Sequence, residues 1–95
     1  MAVAVEIKFP GATLEQYDQV LERMGLTPQG QGPPGAISHY VVKTDDGIRV
    51  VDVWESREVF ERFAEEQIEP HTKAVGFEGE PEIQVHEVHN YLTKG

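Results

Sequence analysis

Cysteine is absent from the 95 residues. That excludes disulfides, thiolate metal sites and a cysteine nucleophile, and nothing demands an oxidising compartment. The cytoplasm is the expected location. Positive charge is scarce, with 8 lysines and arginines against 17 aspartates and glutamates and a formal charge of -9. The field of such a chain repels nucleic acid and anionic membrane surfaces, so neither is an expected partner. Long apolar runs are missing as well. Met1 to Phe9 alternates, lacks a basic flank and falls far short of the roughly 20 residues a membrane span needs, so neither a signal peptide nor an anchor is expected. There is no phosphate-cradling glycine loop, no serine elbow and no carboxylate cluster spaced for a metal. At this length residues 1–95 form a single domain.

The best-signalled stretch that is present runs from Val50 to Gln67. In Val50-Val51-Asp52-Val53-Trp54 both faces carry large apolar side chains, as in a strand covered on two sides. Ser56 offers a hydroxyl to the unpaired N–H groups of the next turn, and Glu58 adds negative charge near that helix N-terminus. Phe60, Phe63, Ala64 and Ile68 then share one helical face. The spacing predicts this helix from about Arg57 to Pro70, where the lost donor calls for a kink or break.

Around this unit the chain alternates in kind. Val3, Val5, Ile7 and Phe9 mark a strand with one apolar face. Thr13 and Gln16 form a capping box for a helix striped by Leu14, Tyr17, Val20, Leu21 and Met24 and closed by Gly25. Leu26 to Gly35, with three prolines and three glycines, resists regular structure and is either a connector or a lid over a pocket. Ala36–Thr44 and Gly47–Glu55 flank an Asp-Gly hairpin signal. With Asp46 and Gly47 as the turn, His39 stands opposite Trp54, Val41 opposite Asp52 and Tyr40 opposite Val53. His39, Val41, Asp52 and Trp54 then share a face. Glu82 to Leu92 supplies a last strand. The order βαββαβ with right-handed connections gives an α+β, ferredoxin-like fold, a four-stranded antiparallel sheet with two helices on one face. The other face needs cover, which a homodimer packed sheet to sheet provides.

The four histidines are the candidates for acid, base or ligand chemistry. His86-Glu87-Val88-His89 is one residue short of the zinc-protease motif and lies in strand-like sequence, where the two imidazoles face opposite ways. No metal site is expected there. His71 continues the apolar face of the second helix and points inward if that helix persists, or else caps its end at the surface. His39 is placed beside Trp54 and diagonal to Asp52, and a carboxylate next to imidazole raises its basicity and fixes its tautomer. The alternative is a structural His–Asp pair within a dimer interface. Tyr17 and Tyr40 can donate to a substrate oxygen or simply pack.

The element order, with Ile7-Lys8-Phe9-Pro10, Val53-Trp54-Glu55-Ser56 and the following Phe60 and Phe63, resembles the dimeric α/β-barrel superfamily, and within it the antibiotic-biosynthesis-monooxygenase-type domains. The resemblance implies a homodimer whose sheets build a shared barrel, and oxidation, cyclisation or isomerisation of aromatic or polyketide-like molecules without metal or flavin. The haem-degrading branch puts its axial histidine where this chain has His71. Its asparagine and tryptophan positions are here Val5 and Phe63, so the resemblance does not extend to haem degradation and leaves haem binding through His71 as an open alternative. Plant polyketide cyclases of the superfamily have a catalytic histidine near the same place. A smaller group with a histidine before the hairpin, Asp-x-Trp-x-Ser after it and Val-His-Asn in the last strand matches His39, then Asp52, Trp54 and Ser56, then Val88, His89 and Asn90.

These readings converge on a small homodimeric, metal-independent enzyme acting on a hydrophobic small molecule by histidine acid/base chemistry, monooxygenase-like or cyclase-like, with no cofactor. His39 is the expected base, Asp52 its orienter, and His71 or His89 the acid or a binding donor. Trp54, Tyr17, Phe60 and Phe63 are expected to line the substrate pocket. The competing reading is a non-catalytic dimer that binds a small molecule or haem.

Overall fold

The strand Gly47–Trp54 (β3) carries the fold, and it alternates along its whole length between buried and half-buried residues. The computed structural model describes residues 1–95. β3 lies between Val3–Pro10 (β1) and Ala36–Thr44 (β2), and Glu82–Glu87 (β4) flanks β1, giving the antiparallel order β2-β3-β1-β4. One face buries Val3, Val5 and Ile7 of β1 and Val50 and Trp54 of β3 against Phe60. Two helical segments cover that face. Leu14–Met24 (α1) starts at the Thr13–Gln16 capping box and ends on Gly25 in the left-handed region. Arg57–Phe63 (α2) is capped by the Ser56 hydroxyl, which accepts from the Val59 N–H.

The second helix does not break at Pro70. Ala64–Ile68 forms one π-helical turn, in which the Glu69 N–H reaches the Ala64 carbonyl five residues back, and Glu69–Val75 (α3) continues the helix. A π-turn inserts one extra residue into the hydrogen-bond ladder. Pro70 thereby falls in the first turn of α3, where a missing donor costs little.

The hairpin register differs from expectation. Thr44 pairs with Gly47, so the turn residues are Asp45 and Asp46, and His39 faces Asp52 while Tyr40 faces Val51 and Val41 faces Val50. The Asp-Gly turn that favours the other register needs positive φ at both central residues, and neither aspartate has it. The slip is two residues, so facing is preserved, and His39, Val41, Asp52 and Trp54 do share a face.

Gly47 sits where no side chain fits. A Cβ there would lie 2.1 Å from the Phe9 carbonyl oxygen and 2.9 Å from the Gly11 nitrogen, beside the bond from the Gly11 N–H to the Asp46 carbonyl. Both obstacles are backbone, so the hairpin end must part from β1. Gly47→Ala is expected to cost about 1–3 kcal/mol, read by urea denaturation. A loss under about 0.5 kcal/mol, the level of a neutral surface change, would contradict this.

β4 stops earlier than expected. Val3 pairs with Glu87 and the Val88 N–H reaches the Ala2 carbonyl, where the ladder with β1 ends. His89 therefore lies beyond the sheet. No helix is long and apolar enough to cross a membrane.

Candidate functional site

Asp52 organises the site from the centre of the sheet. Its β1 neighbour is the fully buried Val5 and its β2 neighbour is His39. The Asp52 side chain is only 5% exposed, so its oxygens require donors. Trp54 is two residues along the same strand and therefore on the same face. Its Nε1–H donates to Asp52 Oδ2 at 3.1 Å. His39 Nδ1 lies 2.5 Å from Asp52 Oδ1.

The His39 side chain remains 36% exposed, and its other nitrogen, Nε2, is 2.5 Å from the Tyr17 hydroxyl on α1. The two rings stack, with centroids 5.9 Å apart and planes 11° from parallel. Since an ionised carboxylate can only accept, the proton between His39 and Asp52 belongs to Nδ1, and in the neutral imidazole Nε2 accepts from the Tyr17 hydroxyl. The result is a line of four side chains, Tyr17–His39–Asp52–Trp54.

Burial, then the charges of Asp52 and Asp18, push the Tyr17 phenol up to about 12. Each disfavours the phenolate, so the hydroxyl keeps its proton at neutral pH. The native state holds this proton more tightly than the unfolded chain, so the associated stability is complete below pH 10 and is lost as pH rises from about 10 to 12. The stability advantage of wild type over Tyr17→Phe is expected to shrink across that window, with an absorbance step near its upper end that the variant lacks. A Tyr17 step at pH 10 would contradict the assignment.

The line opens on a cavity of about 750 Å³ between sheet and helices. Tyr17, Trp54 and Phe63 line it with His39 and Asp52, together with Leu21, Met24, Ile68 and Phe77. Trp54 packs against Phe63 at 5.0 Å between ring centroids. Leu26 to Pro33 also borders the space, so this Pro- and Gly-rich segment is a wall of the cavity. Of the two readings of this loop, connector or cover for a pocket, its place in the lining favours the second.

Three expected site residues are not brought to this cavity. Phe60 is 3% exposed, belongs to the core against Trp54, and borders a separate groove with Ile83 and Val85. The helix does persist past Pro70, but the extra residue of the π-turn rotates the face that follows it, and His71 sits against α1 instead of pointing into the cavity. Its Nδ1 accepts from Arg23 Nε at 3.4 Å and its Nε2 lies 3.1 Å from Gln67 Oε1. With both nitrogens engaged and the ring outside the cavity, it does not fit an axial ligand to haem. His89 is exposed beyond the end of β4. The expected pairing of His39 with His71 or His89 as acid is not formed, and Tyr17 occupies that place. No group of histidine, aspartate and glutamate side chains is arranged to hold a metal ion.

No protein-family model matches this chain, and no curated protein sequence matches it. Solved structures do. SnoaB, a cofactor-independent oxygenase from Streptomyces nogalater, is similar over 98% of this chain and 97% of its own, at a TM-score of 0.61 and 18% identity. A monooxygenase from the gene ActVA-Orf6 of Streptomyces coelicolor, solved with the ligand nanaomycin D, is similar over 99% and 92% respectively, at 0.53 and 21%. A protein from Deinococcus radiodurans described provisionally as an antibiotic biosynthesis monooxygenase is similar over 100% and 99%, at 0.58 and 12%. In fold, the chain is an α+β domain with a four-stranded antiparallel sheet, similar over nearly its whole length to these three structures.

Proposed function

We propose that this protein is a cofactor-independent, monooxygenase-like enzyme in which His39, oriented by Asp52, removes a proton from a hydrophobic small molecule held in the cavity. The observation that carries the reading is a hydrogen-bonded His–Asp pair at the wall of a large, mostly apolar space, the placement an acid/base site requires. The oxygenase character of SnoaB and the ligand held by the Streptomyces coelicolor monooxygenase support the reaction class.

Electrons balance without a cofactor. Deprotonating a methylene acidified by flanking aromatic rings or carbonyls yields a carbanion, which reduces O2. Oxidation of CH2 to C=O supplies four electrons, and one O2 becomes the carbonyl oxygen and water. The test is oxygen uptake with anthrone, a neutral aromatic with such a methylene. Catalysed uptake at one O2 per quinone formed, sensitive to His39→Gln, is expected. A rate equal to the protein-free background for both proteins would refute the reading.

The sheet face away from the helices supports a homodimer. Tyr40 is 56% and Val42 41% exposed there, and Val51 and Val53 are only half-buried. A sheet-to-sheet partner would cover all four. Analytical ultracentrifugation is expected to give twice the 10.7 kDa chain mass. A chain that sediments as a monomer at micromolar concentration would exclude the dimer.

A further inference from the structure

We infer that Tyr17, not His39, is the group that meets the bound molecule, and that it relays the molecule's proton to His39 Nε2. The inference deepens the proposed function and rests on its reading of His39 as the base. Neither nitrogen of His39 is free, since Nδ1 is held by Asp52 and Nε2 by the Tyr17 hydroxyl. A ligand can therefore approach the imidazole directly only by breaking one of these bonds. The Tyr17 hydroxyl makes no other side-chain bond. Having donated its hydrogen, it retains acceptor capacity, and its residue lines the cavity.

The step follows from that geometry. A hydroxyl or activated methylene of the ligand gives its proton to Tyr17 Oη while the Tyr17 hydroxyl proton passes to His39 Nε2. The ligand keeps the electron pair as an anion, Tyr17 ends as it began, a neutral phenol, and His39 becomes an imidazolium beside Asp52. No free phenolate forms, in keeping with the environment that burial, Asp52 and Asp18 impose on Tyr17. Trp54 completes the device by occupying Asp52 Oδ2, which leaves Oδ1 to hold the ring.

The same lining sets the ligand class. Around the cavity the charged residues are Asp18 and Asp52, with no lysine or arginine. A ligand entering as a carboxylate or phosphate would meet negative charge and find no counter-ion, whereas a neutral hydroxyl or carbon acid acquires its charge only as His39 becomes cationic.

4-Nitrophenol is a suitable probe, because in mildly acidic buffer the free molecule is a colourless neutral phenol and its anion absorbs in the visible. Binding is followed separately by equilibrium dialysis. Wild type is expected to bind it and develop the anion band. Tyr17→Phe and His39→Gln are both expected to bind it with the band lost, the apparent ionisation displaced by about one pH unit or more, tenfold in the equilibrium. If Tyr17→Phe keeps the band and His39→Gln loses it, His39 acts directly, so the relay is wrong and the base reading stands. If His39→Gln keeps the band, the base reading itself falls. No band in wild type overturns the relay for hydroxyl ligands. The 15N spectrum of unliganded wild type adds a measurement that needs no variant. His39 is expected as the Nδ1–H tautomer with an unprotonated Nε2 that shifts on substitution of Tyr17 by phenylalanine, and a ring protonated at Nε2 would overturn the relay.

Discussion

His39→Gln is expected to lower catalysed oxygen uptake by about 10²–10⁴, the span that a positioned general base contributes. Glutamine keeps an amide donor that can reach Asp52, so the buried carboxylate is not stranded, and stability is expected to fall by no more than about 1–2 kcal/mol. What it cannot do is take a proton and become a cation against Asp52. Asp52→Asn makes the same point from the other side. An asparagine satisfying the Trp54 Nε1–H with its oxygen presents an NH2 group to His39 Nδ1. The imidazole must then carry its proton on Nε2, the atom that needs a lone pair. A wrong tautomer in preserved geometry is expected to cost about as much rate as losing the base. His39→Gln retaining more than a tenth of wild-type turnover would remove histidine from the chemistry.

The pairing behind this prediction was legible in the sequence only through parity. Alternation along β2 and β3 put His39 and Asp52 on one face whichever two-residue turn closed the hairpin. The choice between Asp46-Gly47 and Asp45-Asp46 depended on φ at Asp46, which the amino-acid order does not determine. The same parity held the key to the Trp54–Asp52 bond, since residues two apart on a strand face the same way and a buried indole N–H seeks an acceptor. The Tyr17–His39 contact was not available by such reasoning. It depends on where α1 crosses β2, a matter of packing between elements separated by the Leu26–Gly35 segment. Pro70 shows a different failure. A proline predicts an interruption of the helical ladder, and the chain meets it with a π-turn that leaves the helix continuous but rotates the face beyond it by the extra residue, so His71 meets α1 instead of the cavity.

Trp54 joins stability to the site, and its variants should separate two costs. Trp54→Phe keeps most of the packing against Phe60 and Phe63 but removes the indole donor, leaving Asp52 Oδ2 buried without its partner at 4% exposure. The expected destabilisation is about 1–3 kcal/mol. Trp54→Ala adds a cavity at a residue 2% exposed, and about 3–5 kcal/mol is expected. For a domain whose total stability lies in the range of about 5–15 kcal/mol, that is enough to leave a substantial unfolded population. Urea denaturation of the three proteins measures both. If Trp54→Phe unfolds within about 0.5 kcal/mol of wild type, the indole–carboxylate bond contributes nothing, and Asp52 is held by His39 alone. If the cost is as expected but Trp54→Phe also slows oxygen uptake well beyond its effect on folding, the indole fixes the carboxylate for the histidine. That difference distinguishes a packing residue from one that positions the base.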